Sequence, residues 1–125
     1  MEKQGIVSIW LGNVKEEYEL EEYVNLKYDE DGESIPSKFY VDFNIDMDEA
    51  DEDFIEKAVL VQKSNNISVL LDGCSYDENI LPKIDRDINL NKYYNAVILM
   101  YNFEYNNRIN SSNKFDYITS TNYMG

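Results

Sequence analysis

The sequence predicts an α+β fold, with a mostly antiparallel sheet of about four strands and helices packed on one face. Two apolar runs, residues 5–12 and 93–105, have the composition of strands that are buried inside a sheet. Helix signals lie between them, and the predicted order is strand, helix, helix, strand, helices, strand, strand. A sheet covered by helices buries these apolar surfaces together. The length of 125 residues fits one domain over residues 1–125, with residues 120–125 as a flexible tail.

The first strand and first helix have distinct patterns. Residues 5–12 (GIVSIWLG) are apolar at alternating positions on both faces, which is typical of an inner strand. Asn13 followed by Glu16 fits a capping box and predicts a helix from Asn13 to about Lys27. Apolar residues recur on one stripe of this helix, and five glutamates crowd the remaining surface.

The middle of the chain alternates short elements with acidic connections. Residues 29–33 (DEDGE) predict a turn, and Pro36 suits the first turn of a short helix that ends near Phe43. Residues 46–53 (DMDEADED) are the most acidic stretch and predict a loop. Residues 54–62 predict the second strand.

The C-terminal half supplies two more helices and two more strands. Residues 65–73 and a segment from Asp77 predict helices, the second of which is interrupted or kinked at Pro82. Residues 93–105 are the strongest strand signal in the chain. A turn-rich loop over 106–114 then leads into a hairpin strand at 115–119.

The net charge is confined to the first half of the chain. Residues 1–56 contain eighteen Asp and Glu against four Lys, which gives −14, whereas residues 57–125 contain seven acidic and seven basic residues. Such segregation costs stability through self-repulsion, which favours a use beyond solubility. We expect this half to repel nucleic acid and anionic membranes and to attract a basic protein surface.

Residue types that are missing exclude several classes of chemistry. The chain has no histidine and a single cysteine, Cys74, so Ser–His and Cys–His catalysis and most zinc sites are excluded. Residues 46–57 begin like an EF-hand loop, but Asp51 and Lys57 stand where that loop needs Gly and Glu. No pair of carboxylates is singled out for catalysis. We therefore predict no catalytic residue, no metal and no cofactor, and Cys74 as a packed side chain.

Location follows from the terminal sequence and the longest apolar run. The N-terminus lacks a basic region followed by an apolar stretch, which predicts no secretion signal. The longest apolar run, residues 96–101, is far shorter than the roughly 20 residues that span a bilayer. The sequence predicts a cytoplasmic protein without a membrane partner.

Four blocks of sequence resemble a known family. GIVSIWLG, EEYVNLKYDEDGE, IPSKFYVDFNID and YNAVILMYNFEY occur in order over residues 5–105 and are similar to the immunity protein 22 family. These are small bacterial proteins encoded beside polymorphic or contact-dependent toxins. The resemblance implies an α+β protein that binds and neutralises a co-encoded toxin, and it supplies no catalytic residues.

The leading hypothesis is therefore a stoichiometric inhibitor of a toxin with a basic surface, such as a nuclease, without direct contact to nucleic acid. Its predicted partner-binding residues are Asp29, Glu30, Asp31, Glu33, Asp46, Asp48, Glu49, Asp51, Glu52 and Asp53 for electrostatic steering, with Tyr28 or Tyr76 as an aromatic anchor. An acidic adaptor or nucleic-acid mimic that binds a host DNA-binding protein is the alternative, and a carboxylate enzyme is a weaker third option. The oligomeric state is left open.

Overall fold

A computed structural model describes residues 2–106, 108–112 and 114–124. Within these residues, seven strands and four α-helices alternate along the chain. They are β1 (Glu2–Gly12), α1 (Glu17–Val24), β2 (Lys27–Tyr28), β3 (Ser34–Ile35), α2 (Lys38–Asp42), 3₁₀ turns at Met47–Glu49 and Glu52–Phe54, β4 (Ile55–Ser64), α3 (Ile67–Leu70), α4 (Asp77–Ile84), β5 (Tyr94–Phe103), β6 (Ser111–Ser112) and β7 (Phe115–Asn122).

Five of these strands form one antiparallel sheet in the order β4-β5-β1-β7-β6. The most apolar strands, β1 and β5, lie side by side, and Trp10 of β1 is paired with Ile98 on one side and Tyr117 on the other. The short strands β2 and β3 form a separate hairpin. The predicted α+β class is confirmed, and the main sheet has five strands rather than about four.

The helices cover both faces of this sheet, where the sequence predicted one. On one face Trp10, Ile98 and Met100 pack against α1 and α2, and we call this group the Trp10 cluster. On the other face Val97 and Leu99 pack against α3 and α4, and we call this group the Leu99 cluster. Alternate side chains of a strand point to opposite faces, so a strand that is apolar on both sides requires a cover on each.

The first helix begins later than the capping pattern at Asn13 predicted. Helix α1 starts at Glu17, and the capping box is formed by Glu16 and Glu19. The Asn13 side chain instead donates a hydrogen bond to the carbonyl of Tyr93, and its backbone N–H donates to the carbonyl of Lys114. Asn13 therefore ties the end of β1 to its neighbouring chain segments, which prevents it from capping a helix.

The last strand extends further towards the C-terminus than the sequence predicted. Strand β7 extends to Asn122, the Tyr123 side chain is buried, and the backbone N–H of Tyr123 donates a hydrogen bond to the carbonyl of Gly5. Residues 120–122 thus belong to the sheet and Tyr123 to its packing, where the sequence predicted a tail; Met124 is exposed, and Gly125 lies outside the described residues. Of the predicted loop over 106–114, Ser111–Ser112 form β6, and positions 107 and 113 lie outside the described residues.

Candidate partner-binding surface

The excess negative charge lies in one segment whose buried side chains pack on one face of the sheet. Residues 16–53 contain sixteen Asp and Glu against two Lys, whereas the rest of the chain contains nine of each sign. Every buried apolar side chain of residues 16–53 packs in the Trp10 cluster, and none packs in the Leu99 cluster. The segment therefore covers one face of the sheet, and we call it the acidic layer.

An aromatic core holds the acidic layer on the sheet. The Trp10 ring is fully buried and meets Phe39 edge-on, with 4.8 Å between ring centroids, and Phe43 at 5.9 Å. Tyr23 of α1 stacks on Phe115 of β7 at 5.0 Å. Edge-on and offset pairs of this kind add to the free energy of burying the rings. Trp10 is thus a core residue and does not contact solvent as an interface anchor would.

The hairpin β2–β3 presents the first predicted acidic group. The Asp29 carboxylate accepts hydrogen bonds from the backbone N–H groups of Asp31 and Glu33, both at 2.9 Å. This Asx-type turn fixes the backbone and leaves the neighbouring side chains in solvent. Tyr28, one of the two predicted anchors, is 62% exposed on the same hairpin.

The second acidic group, predicted as a loop, is folded into two 3₁₀ turns. Asp46 accepts a hydrogen bond from the N–H of Asp48, and Asp51 accepts one from the N–H of Asp53, each at 2.9 Å. These two carboxylates therefore shape the backbone, as Asp29 does in the hairpin. The predicted steering residues thus include three that also have a local structural role.

Six other residues of the predicted set are exposed, and their carboxylates form no hydrogen bond or ion pair with any of the described residues. They are Glu30, Asp31, Glu33, Asp48, Glu52 and Asp53. Within the same part of the chain, the side-chain ion pairs are Lys3–Glu104, Lys92–Asp116 and Lys114–Glu19. Only the last of them reaches the acidic layer, so its negative charge is largely uncompensated.

Two buried tyrosines of the acidic layer have raised pKa values, mainly through burial and then through its carboxylates. Burial, followed by the charges of Glu52 and Asp51, raises the pKa of Tyr40 to about 12. Burial and a 2.9 Å hydrogen bond to the carboxylate of Asp42 raise the pKa of Tyr23 well above its usual range. Both phenols stay protonated at neutral pH and add no further charge.

Tyr76, the other predicted anchor, lies away from the hairpin. Its ring packs against Tyr123 and Tyr101, with centroid distances of 4.8 and 5.7 Å, and both of these residues belong to the Leu99 cluster. Tyr76 is 52% exposed, and its backbone has φ +64°, a left-handed conformation that is unusual for a large side chain. The structure therefore separates the two anchor candidates, because Tyr28 belongs to the acidic layer and Tyr76 to the opposite side.

A groove brings Tyr76 together with the end of the acidic layer. We call it the Tyr76 groove, with a volume of about 370 Å³ and a lining formed by Asp53, Phe54, Ile55, Glu56, Ser75, Tyr76, Tyr101 and Tyr123. Asp53 and Tyr76 were predicted from the sequence as partner-binding residues. The sequence did not predict the roles of Phe54, Glu56, Tyr101 and Tyr123 in a groove. The only local signal for them was an aromatic and an acidic residue at the end of the acidic stretch.

The Glu56 carboxylate is fixed within this groove by neutral donors. The Tyr101 hydroxyl donates to its Oε1 at 2.6 Å, and the Ser75 N–H reaches both oxygens at 3.1 Å. Burial and this hydrogen bond to Glu56 raise the pKa of Tyr101 well above its usual range. Glu56 has no ion pair among the described residues, so its charge is held in place without being neutralised.

The described residues offer no metal site and no long apolar helix. No group of three or more Cys, Asp or Glu side chains within them is arranged to hold a metal ion. No helix in this part of the chain is long and apolar enough to cross a membrane. Cys74 is a packed side chain, as predicted: it is buried, and burial followed by the charges of Glu56 and Asp77 raises its pKa to about 12.

The described residues form a small α+β protein with a five-stranded antiparallel sheet and an acidic segment packed on one face of it. A family model described as Immunity protein 22 matches residues 7–124, nearly the whole chain. The chain belongs to the Immunity protein 22 family, and the match extends past the residues 5–105 that carried the resemblance. Its role is that of an immunity protein, which implies a toxin as partner. Comparisons with curated proteins and with solved structures found no match.

Proposed function

We propose that this protein neutralises a nuclease toxin by covering its nucleic-acid-binding surface with the acidic layer. Membership of the Immunity protein 22 family supports a toxin partner. The observation that favours a basic partner is the concentration of the whole net charge of −14 in residues 16–53, which cover one face of the sheet. Nucleases hold phosphates with Lys and Arg, so their clefts are complementary to such a layer.

Electrostatic steering is the role proposed for the exposed carboxylates. Complementary charge can bring association to about 10⁸ M⁻¹s⁻¹ at low salt, against about 10⁵ to 10⁶ M⁻¹s⁻¹ without it. Rapid capture protects the producing cell because even a few catalytic turnovers of the toxin would harm it. The carboxylates of Glu30, Asp31 and Glu33 suit this role, since they are exposed and have no partner of their own within the described residues.

A titration with the toxin encoded next to this chain tests the proposal. We expect a stoichiometric complex, loss of nucleic-acid cleavage in the complex, and association that slows as salt rises while dissociation changes little. A toxin that forms no complex, and that can be expressed safely without this protein, would contradict the immunity role. A complex that inhibits a toxin without nuclease activity would contradict only the nuclease assignment.

Two triple variants with the same change in net charge locate the steering surface. The test variant replaces Glu30, Asp31 and Glu33 by Gln, Asn and Gln. The control replaces Asp72, Glu78 and Asp87, which lie exposed on the α3–α4 side, by Asn, Gln and Asn. We expect the test variant to lower the association rate constant roughly 3- to 10-fold and the control variant to lower it less. Equal effects would show that net charge matters but that the acidic layer does not.

Capture of a host DNA-binding protein is the competing outcome. An adaptor or nucleic-acid mimic would use the same acidic layer, so the choice of partner separates the two functions. If this protein binds the adjacent toxin weakly, and binds a host DNA-binding protein tightly in a DNA-competitive manner, the adaptor function replaces the proposed one.

A further inference from the structure

We propose that the Tyr76 groove receives an arginine side chain of the bound protein. This inference rests on the proposed function, since the arginine would belong to the basic surface that the acidic layer attracts. It adds a specific contact at one place, whereas the exposed carboxylates supply attraction over a wide surface. The groove was not assigned by sequence, because its lining comes from four separate segments of the chain.

The size of the groove suits one side chain. Its volume of about 370 Å³ is near the lower end of the roughly 300 to 1,000 Å³ that small-molecule pockets occupy. Phe54 and Tyr76 form exposed aromatic walls, with 45% and 52% of their surfaces accessible. A side chain that enters between them would cover apolar ring surface that now contacts solvent.

The charge of the lining selects a cation. Asp53 and Glu56 are the charged residues of the groove, and no Lys or Arg lines it. Neither carboxylate has an ion pair among the described residues, and Glu56 is held by the neutral donors of Tyr101 and Ser75. A cationic occupant would compensate both charges, whereas an anionic one would be repelled.

The aromatic residues favour arginine over lysine. Tyr76, Tyr101 and Tyr123 form a mutually packed group, with centroid separations of 5.7, 4.8 and 5.0 Å. A planar guanidinium can stack on the exposed Tyr76 ring while its N–H groups donate to a carboxylate, which an ammonium cannot do in the same geometry. Because Glu56 is already oriented by its two donors, little further ordering is needed for the contact.

Two variants of the groove and two controls test the inference with the toxin. We expect Tyr76→Gly and Glu56→Gln to raise the dissociation rate constant, the first by roughly 10- to 30-fold. Glycine is chosen because it accepts the left-handed backbone at position 76, so that the variant keeps its fold. Tyr93→Ala removes an exposed ring, and Asp87→Asn removes an exposed carboxylate, both outside the groove and the acidic layer; both should leave dissociation nearly unchanged. Tyr28→Ala tests the other predicted anchor.

The outcomes separate this inference from the proposed function. If the unmodified protein binds the toxin and the groove variants dissociate at the same rate, the inference is overturned while the proposed function stands. If Tyr28→Ala accelerates dissociation and Tyr76→Gly does not, the anchor is Tyr28 and the inference is again overturned. If the unmodified protein forms a concentration-dependent dimer that Tyr76→Gly abolishes, the occupant is a second copy of the chain.

A titration with a small arginine analogue tests whether the Tyr76 groove binds a guanidinium, even if no toxin complex forms. Titration with N-acetylarginine amide, followed by NMR, should shift backbone signals of Ser75 and Tyr76, and the neutral isostere N-acetylcitrulline amide should not shift them. Tyr76→Gly should abolish the response. Shifts that are absent, or equal for the two compounds, would overturn the assignment of the groove as an arginine site.

Discussion

Replacing Tyr76 by glycine should leave the protein more stable than replacing it by alanine, which reverses the usual order of these two residues. Both changes remove the ring and its contacts with Tyr101 and Tyr123, so their difference reports only the backbone. The relevant feature is the φ of +64° at position 76, immediately before α4.

The magnitude follows from two opposing effects. A left-handed backbone costs a residue with a Cβ atom about 1 to 2 kcal/mol. Glycine avoids that cost but loses about 0.5 to 1 kcal/mol more conformational entropy on folding. The balance favours glycine by about 1 kcal/mol, which corresponds to roughly 4 °C in Tm for a chain of this length. The position also caps α4, where glycine is accepted better than alanine.

Urea unfolding measured by tryptophan fluorescence provides the assay. Trp10 is the only tryptophan and is fully buried, so its emission reports the loss of the core. The midpoint urea concentration should be higher for Tyr76→Gly than for Tyr76→Ala, with the same dependence of free energy on urea.

Tyr18 supplies a control pair with the opposite expected sign. It is 60% exposed within α1, where the backbone is helical and glycine is less favourable than alanine by up to about 1 kcal/mol. Tyr18→Gly should therefore be less stable than Tyr18→Ala. If alanine is as stable as glycine at position 76, or if the two positions give the same sign, the reasoning from backbone strain is refuted.

Three further predictions concern the core and the pH dependence of stability. Gly12→Ala should destabilise the protein by about 1 to 3 kcal/mol, because the added Cβ would lie 2.6 Å from the backbone carbonyl oxygen of Lys114. The control Gly32→Ala places its Cβ near no atom within 4 Å and should lower the free energy of unfolding by only about 1 kcal/mol, through its φ of +81°. Equal losses for the two variants in urea unfolding would contradict this. Cys74, with its pKa raised to about 12, should react with iodoacetamide at pH 8 at least ~100-fold more slowly than a free peptide thiol, and comparable rates would show an accessible thiolate. Burial opposes ionisation of Asp116, but its hydrogen bonds and a nearby lysine lower its pKa overall. Its contribution to stability is therefore present above the ordinary value of 3.8 and is lost as the pH falls through the lower folded value. Asp116→Asn should reduce the loss of unfolding free energy at acidic pH, and an unchanged loss would exclude Asp116 as a contributor.

The sequence predicted the strands better than the boundaries of the short elements. Residues 5–12 and 93–105 are almost continuously apolar, and a run of that kind has few alternatives to an inner strand. The predicted start of α1 was wrong, because Asn13 has the side chain of a good helix cap but donates a hydrogen bond to the carbonyl of Tyr93 instead. A helix cap and a net hydrogen bond are each worth about 1 kcal/mol, so the two hydrogen bonds that Asn13 makes to Tyr93 and Lys114 together outweigh the cap.

The end of β7 shows the same limitation. Residues 120–122 are polar and carry little strand signal, yet they pair with β1, and Tyr123 fills a place beside Tyr76 and Tyr101. Pairing with an apolar central strand satisfies their backbone groups, which a local pattern cannot reveal.

The sequence alone determined the class of fold, the segregation of charge and the residue types that exclude histidine-based chemistry. Only the tertiary structure decided that residues 16–53 cover one face of the sheet, that α3 and α4 cover the other, and that Tyr76 meets Asp53 and Glu56 in one groove. The physical reason is that composition and periodicity depend on neighbours along the chain. The face on which a helix packs, and the side chains that line a groove, depend on contacts between segments that are far apart in sequence.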